Sequence, residues 1–118
     1  MTERPRRLLL ADDDASTRLL AHSTLSAAGF TVILAANGQE AVEAVLREPP
    51  DLILLDLEMP RMDGYEACQR IRRLPSGADI PVIVVTSLDD PASIERAYSA
   101  GATDFITKPL NWSLLVHR

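Results

Sequence analysis

Cysteine is nearly absent: Cys68 stands alone in a chain of 118 residues. An internal disulfide is thereby excluded, and a reducing compartment suits the composition. Long apolar runs are missing as well, since no stretch approaches the roughly 20 residues of a membrane-spanning helix. The N-terminus lacks the charged-then-apolar-then-small order of a secretory signal. Basic charge is in deficit, with 12 lysines and arginines against 17 aspartates and glutamates and a formal net charge of −5. General nucleic-acid binding wants a basic face, so that class is set aside. The one basic cluster, "RPRR" at 4–7, reads as a short solvated arm beside the first strand. A soluble, cytoplasmic, single-domain protein without a membrane role is the expectation.

What is present is an alternation. The apolar fraction of 47% and the length of the chain are enough to bury a real core. Short apolar runs lie at 7–11 ("RLLLA"), 31–35 ("TVILA"), 51–56 ("DLILLD"), 81–87 ("PVIVVTS") and 104–108 ("DFITK"). The second, third and fourth barely alternate with polar residues, as strands buried on both faces of a parallel sheet do. Between the runs lie helical start signals. Asn37 precedes Glu40 in a variant capping box, Asp63 with Glu66 repeats the pattern, and Asp90-Pro91 places proline at the first helical position. Ala41, Ala44 and Val45, then Tyr65, Cys68 and Ile71, then Ile94, Ala97 and Tyr98 predict one buried stripe per helix. Gly29 and Gly101 sit where helices should stop. The reading is βαβαβαβαβ, with "NWSLLVHR" opening a fifth helix only about 12 Å long. That helix looks cut short, as if the chain were a piece of something longer. Such alternation implies an α/β fold, a parallel sheet covered by helices on both sides.

Polar residues gather at the ends of the predicted strands, where ligands of open parallel sheets bind. Asp12, Asp13 and Asp14 follow the first, Asp56 ends the third, Thr86-Ser87 the fourth, and Lys108-Pro109 the fifth. Two carboxylates about 4 Å apart repel by about 4 kcal/mol at an effective dielectric near 20, so the triplet needs a reason. Alone it reads as a solvated loop and an N-cap. Joined by the other strand ends it reads as a site for a hard divalent cation such as Mg²⁺, which accepts carboxylates and a phosphate together. A strand-end carboxylate can be a nucleophile that forms an acyl phosphate, with a cation, a lysine and a hydroxyl neutralising the phosphoryl oxygens.

With these residues the chain resembles the receiver domain of two-component response regulators. "LLLADDDAST", "DLILLDLEMPRMDGYE", "VIVVTSLDD" and "AYSAGATDFITKP", in that order, carry the resemblance. It covers residue 7 to about 116, with 1–118 expected as one receiver domain and an output domain or signalling helix beyond 118. It implies a single, doubly wound, flavodoxin-like (βα)5 sheet of strand order 2-1-3-4-5 whose last helix is truncated. It also implies that Asp56 is the phosphoacceptor and that Asp12 and Asp13 hold Mg²⁺, Asp13 directly and Asp12 through water. The backbone carbonyl of Glu58 and Asp56 itself complete that ligand set, and Mn²⁺ can substitute. Asp14, beyond the pair, caps the first helix. Thr86 and Lys108 bind the phosphoryl group, Thr86 and Phe105 act as the switch, and Pro109 follows a cis peptide bond. Phenylalanine at 105, where the family often has tyrosine or histidine, removes any signal that uses a ring hydroxyl. The Glu58 side chain occupies a position that tunes acyl-phosphate lifetime in the family.

The implied function is a phosphorelay switch: a sensor histidine kinase or phosphotransfer protein donates a phosphoryl group to Asp56. The face made by helix four, strand five and helix five then changes, for homodimerisation or for a downstream output domain. The domain assists its own phosphorylation and dephosphorylation without turning over an external substrate. The competing reading is a small aspartyl-nucleophile phosphatase, from the "DLE" at 56–58, though the chain has no cap segment to enclose a substrate. A flavin module fails on charge, because an acidic cluster repels a phosphate. A metal-free scaffold would be expected to have lost one of the site residues. The tail "KPLNWSLLVHR" resembles receivers that continue into a cyclic-dinucleotide enzyme. His22 and His117 read as surface residues, Cys68 as core, Trp112 as packing in the fifth helix, and "MPRM" (59–62) as a loop first and a recognition surface second.

Overall fold

A computed structural model of the chain describes residues 6–108. In order these are β1 (Arg7–Ala11), α1 (Ala15–Ala27), β2 (Thr31–Ala35), α2 (Gly38–Arg47), β3 (Leu52–Leu55), α3 (Gly64–Arg73), β4 (Val82–Thr86), α4 (Pro91–Ser99) and β5 (Asp104–Thr107). A 3-10 turn at Pro75–Gly77 precedes β4. Pro109, the expected fifth helix, Trp112, His117 and the first residues of the basic arm lie outside the described residues. Among the described residues no helix is long and apolar enough to cross a membrane.

Every strand pair is parallel, and the sheet runs β2-β1-β3-β4-β5. Parallel neighbours need a long crossover, which the helices supply. The leucines of β1 alternate between the two layers that result. Leu9 packs with Ala41, Val45, Cys68 and Ile71 of α2 and α3. Leu8 and Leu10 pack with Ala21 and Leu25 of α1 on the opposite face. Each such leucine contributes about 1.5–3 kcal/mol by leaving water. The expectation of burial on both faces fails for β2, where Leu34 is 40% exposed. β2 is an edge strand, and strand order decides that rather than the composition of the run.

The helix starts follow the sequence. Asp14, Asn37, Asp63 and Asp90 each accept from a backbone N–H of the first turn, worth about 1 kcal/mol apiece. Glu40 reaches back to the amide of Ala36, whereas Glu66 turns away to pair with Arg70 one helical turn on. Gly29 and Gly101, at φ +100° and +111°, end α1 and α4 in the left-handed region. Two details differ from expectation. Tyr98 is exposed at the edge of the sheet, its hydroxyl 3.5 Å from Asp104 Oδ1. Met59 and Met62 of the "MPRM" loop are buried in the core, leaving Pro60 and Arg61 outside.

Candidate functional site

Because the strands are parallel, their carboxyl ends share one edge of the sheet, and the ladder continues past them. Asp12 N donates to Ala35 O at 3.0 Å, Asp56 N to Ala11 O at 2.9 Å, and Lys108 N to Thr86 O at 2.8 Å. Backbone pairing thus fixes three residues that are far apart in sequence before any side chain is considered. Lys108 Nζ then donates to Asp12 Oδ2 at 2.9 Å and to Asp56 Oδ2 at 3.1 Å. Asp12 and Asp56 are buried, while Asp13 is exposed. One carboxylate oxygen from each of Asp12, Asp13 and Asp56 lies within 4.8 Å of the others.

The electrostatics follow from this packing. Burial pushes the Asp56 carboxyl above its ordinary range, outweighing the hydrogen bond and charge of Lys108. Burial would lower the Lys108 ammonium, but its hydrogen bonds to Asp12 and Asp56 and their charges outweigh that and raise it. Three carboxylates face one ammonium, so the cluster is short of positive charge. An all-oxygen donor set with excess negative charge fits a hard divalent cation.

The other expected residues surround this centre. Glu58 is exposed, and its amide donates to Asp56 Oδ1 at 3.3 Å. Thr86 ends β4 fully buried, and its Oγ1 accepts from Leu88 N at 3.3 Å rather than pointing to Asp56 through a hydrogen bond. Phe105 is half-buried against Leu57, Tyr65, Val84 and Ala97, which ties β5 to α3 and α4. Asp14 accepts from Ser16 N and from the Thr17 hydroxyl, and those bonds hold its carboxyl below the ordinary range. His22 is exposed on α1 and Cys68 is buried on α3, both away from the cluster.

Sequence reasoning missed two contributors. Gly64 opens α3 directly against the phosphoacceptor candidate: a Cβ there would lie 2.1 Å from the Asp56 carbonyl oxygen. The "DG" at 63–64 signals a helix start but not which backbone it must approach. Arg18 reaches back from α1 so that Nη1 donates to the Asp12 carbonyl at 2.7 Å. Nothing local distinguishes it from a solvated helix arginine.

This arrangement has known counterparts. The family model described as the response regulator receiver domain matches residues 8–118. The chain is a response-regulator receiver domain. It is 41% identical over 105 residues to the "probable transcriptional regulator ycf27" of Porphyridium aerugineum, covering 89% of this chain and 42% of that one. It is 39% identical to the response regulator MprA of Mycobacterium leprae, covering 95% of this chain and 48% of that protein. The receiver therefore spans less than half the length of these curated relatives. Its fold superposes with a TM-score of 0.88 on the receiver domain of the sensor histidine kinase PA1611 from Pseudomonas aeruginosa, at 30% identity over 96% of this chain and 93% of that one. That neighbour holds a magnesium ion coordinated in its active site cleft. The five-stranded order 2-1-3-4-5 expected of a receiver is the one observed.

Proposed function

We propose that this receiver is a Mg²⁺-dependent phosphoacceptor switch in which Asp56 takes a phosphoryl group from a sensor histidine kinase or phosphotransfer protein. The observation that supports it best is the Lys108 ammonium bridging Asp12 and Asp56, with Asp13 in reach of both. An Asp56 carboxylate oxygen attacks the phosphorus of the partner's phosphohistidine. The P–O bond forms as the P–N bond breaks, and the electron pair of that bond stays on the imidazole nitrogen. Lys108 balances charge on the phosphoryl oxygens, and its second bond, to Asp12, keeps it at the site before the partner arrives. Asp13, Asp56 and the Glu58 carbonyl would hold Mg²⁺ or Mn²⁺, with Asp12 acting through water. The cation supplies further neutralisation of the phosphoryl oxygens.

Signal output follows from Thr86 exchanging its contact with Leu88 N for the phosphoryl group. Phe105, packed among residues of β4, α3 and α4, moves into the space so released, and the face formed by α4, β5 and the following segment changes. That face serves a homodimer or an output domain, consistent with relatives that are longer than this chain.

Incubation with acetyl phosphate and Mg²⁺, read by intact mass, tests this reading. One added phosphoryl group is expected, lost on chelation and absent in Asp56→Asn. Steady phosphate release without an accumulating adduct would favour the phosphatase instead. A folded protein showing neither adduct nor turnover would remove Asp56 from its role.

A further inference from the structure

We propose that Arg18 is a positioning residue for the acidic loop: by holding the Asp12 carbonyl from α1, it fixes the peptide that carries Asp13. This rests on the cation-binding reading of that loop. Every polar atom of Asp12 has a partner. Its N–H donates to Ala35 O, Oδ1 accepts from Asp14 N, Oδ2 from Lys108, and the carbonyl from Arg18. Asp13 is exposed, and its placement depends on what precedes it. The Asp12 carbonyl belongs to the peptide joining the two aspartates. That unit is planar, so restraining its oxygen also restrains the Asp13 N–H and Cα. Arg18 is itself anchored, because its amide donates to Asp14 O at 3.0 Å in the first turn of α1. The side chain therefore links the strand end to the helix across a sequence separation of six, with Asp13 inside the loop it closes.

A positioning role and a simple charge effect predict opposite signs. As a charge alone, a guanidinium held on the Asp12 carbonyl repels a dication arriving at the neighbouring carboxylates, so removing it would tighten Mg²⁺ binding. As a positioning group, it lowers the cost of ordering Asp13, so removing it weakens binding. Groups that orient metal ligands from outside typically change affinity by about 10–100-fold when lost. Arg18 acts through a carbonyl rather than a ligand atom, which puts the expected loss near the lower end, about tenfold.

Calorimetric titration with Mg²⁺, on wild type and Arg18→Met, decides between them. Methionine keeps the apolar stem and removes both donor and charge. The expected result is Mg²⁺ binding about tenfold weaker, with faster metal-free amide exchange at Asp14 and an unfolding midpoint close to wild type. Unchanged or tighter binding in R18M overturns the proposal and leaves the cation reading standing. Wild type that binds no Mg²⁺ removes that reading and the proposal with it. Arg18→Gln, which drops the charge but keeps amide donors on a shorter stem, falls between the two, and tighter binding there overturns the proposal as well.

Discussion

Lys108→Met would remove an ammonium and leave most of its stem. The Asp12 and Asp56 side chains that it bridges are only 3% and 7% exposed, whereas its own is 29% exposed. Removing one partner of a buried ion pair costs about 3–5 kcal/mol, since the other is left as an uncompensated charge. Here water reaches the lysine and shares its field, which selects the lower figure, about 3 kcal/mol. For a domain of this size each kcal/mol moves the unfolding midpoint by about 4 °C, so a fall of about 12 °C is expected. Mg²⁺ should narrow that gap. The variant offers the same carboxylates with no resident cation in competition, and a ligand bound only by the native state stabilises it by mass action. Urea and thermal unfolding at neutral pH, with and without millimolar Mg²⁺, measure both effects. Equal stability without metal would refute Lys108 as the counterion of the site. A gap that Mg²⁺ leaves untouched would refute the shared-carboxylate account.

Asp56→Asn should be more stable than wild type at neutral pH. Burial holds the Asp56 carboxyl above its ordinary 3.8, so the native state binds more protons than the unfolded chain in that interval and loses stability as pH rises through it. The advantage of the variant should close as pH falls toward 3.8, and unfolding midpoints across that range with no neutral-pH advantage would refute the argument. Arg72→Ala acts at the other end of the sheet, where the guanidinium bonds the carbonyls of Gly101, Gly77 and Ile80 and the Thr103 hydroxyl. It should cost about 2–4 kcal/mol in urea unfolding while leaving Mg²⁺ affinity unchanged; an altered affinity would show that the two ends are coupled.

Strand positions were legible because buried parallel strands are apolar runs. The runs at 7–11 and 31–35 coincide with β1 and β2, and the others overrun β3, β4 and β5 by a residue or two. The caps were legible because Asp14, Asn37, Asp63 and Asp90 act within their own turn. What acts across elements was not. Nothing beside Leu34 reveals that its strand is an edge, and nothing beside Tyr98 reveals that its position in a helical stripe faces outward. The strand-end residues could be named from their chemistry, and their convergence rests on the parallel sheet. The contacts of Arg18 and Gly64 depend on how tightly α1 and α3 approach the loops. No spacing rule encodes that distance.

The bridge from Lys108 to Asp12 joins residues 96 apart in sequence, and its second arm joins residues 52 apart. During synthesis the carboxylates of β1 and β3 emerge long before their counterion. A nascent chain complete through β4 carries the mutual repulsion of the cluster without the ammonium that offsets it, and long-range closure of this kind is slow. Pairing of β5 is then the step that brings the ammonium to the cluster and offsets part of its charge.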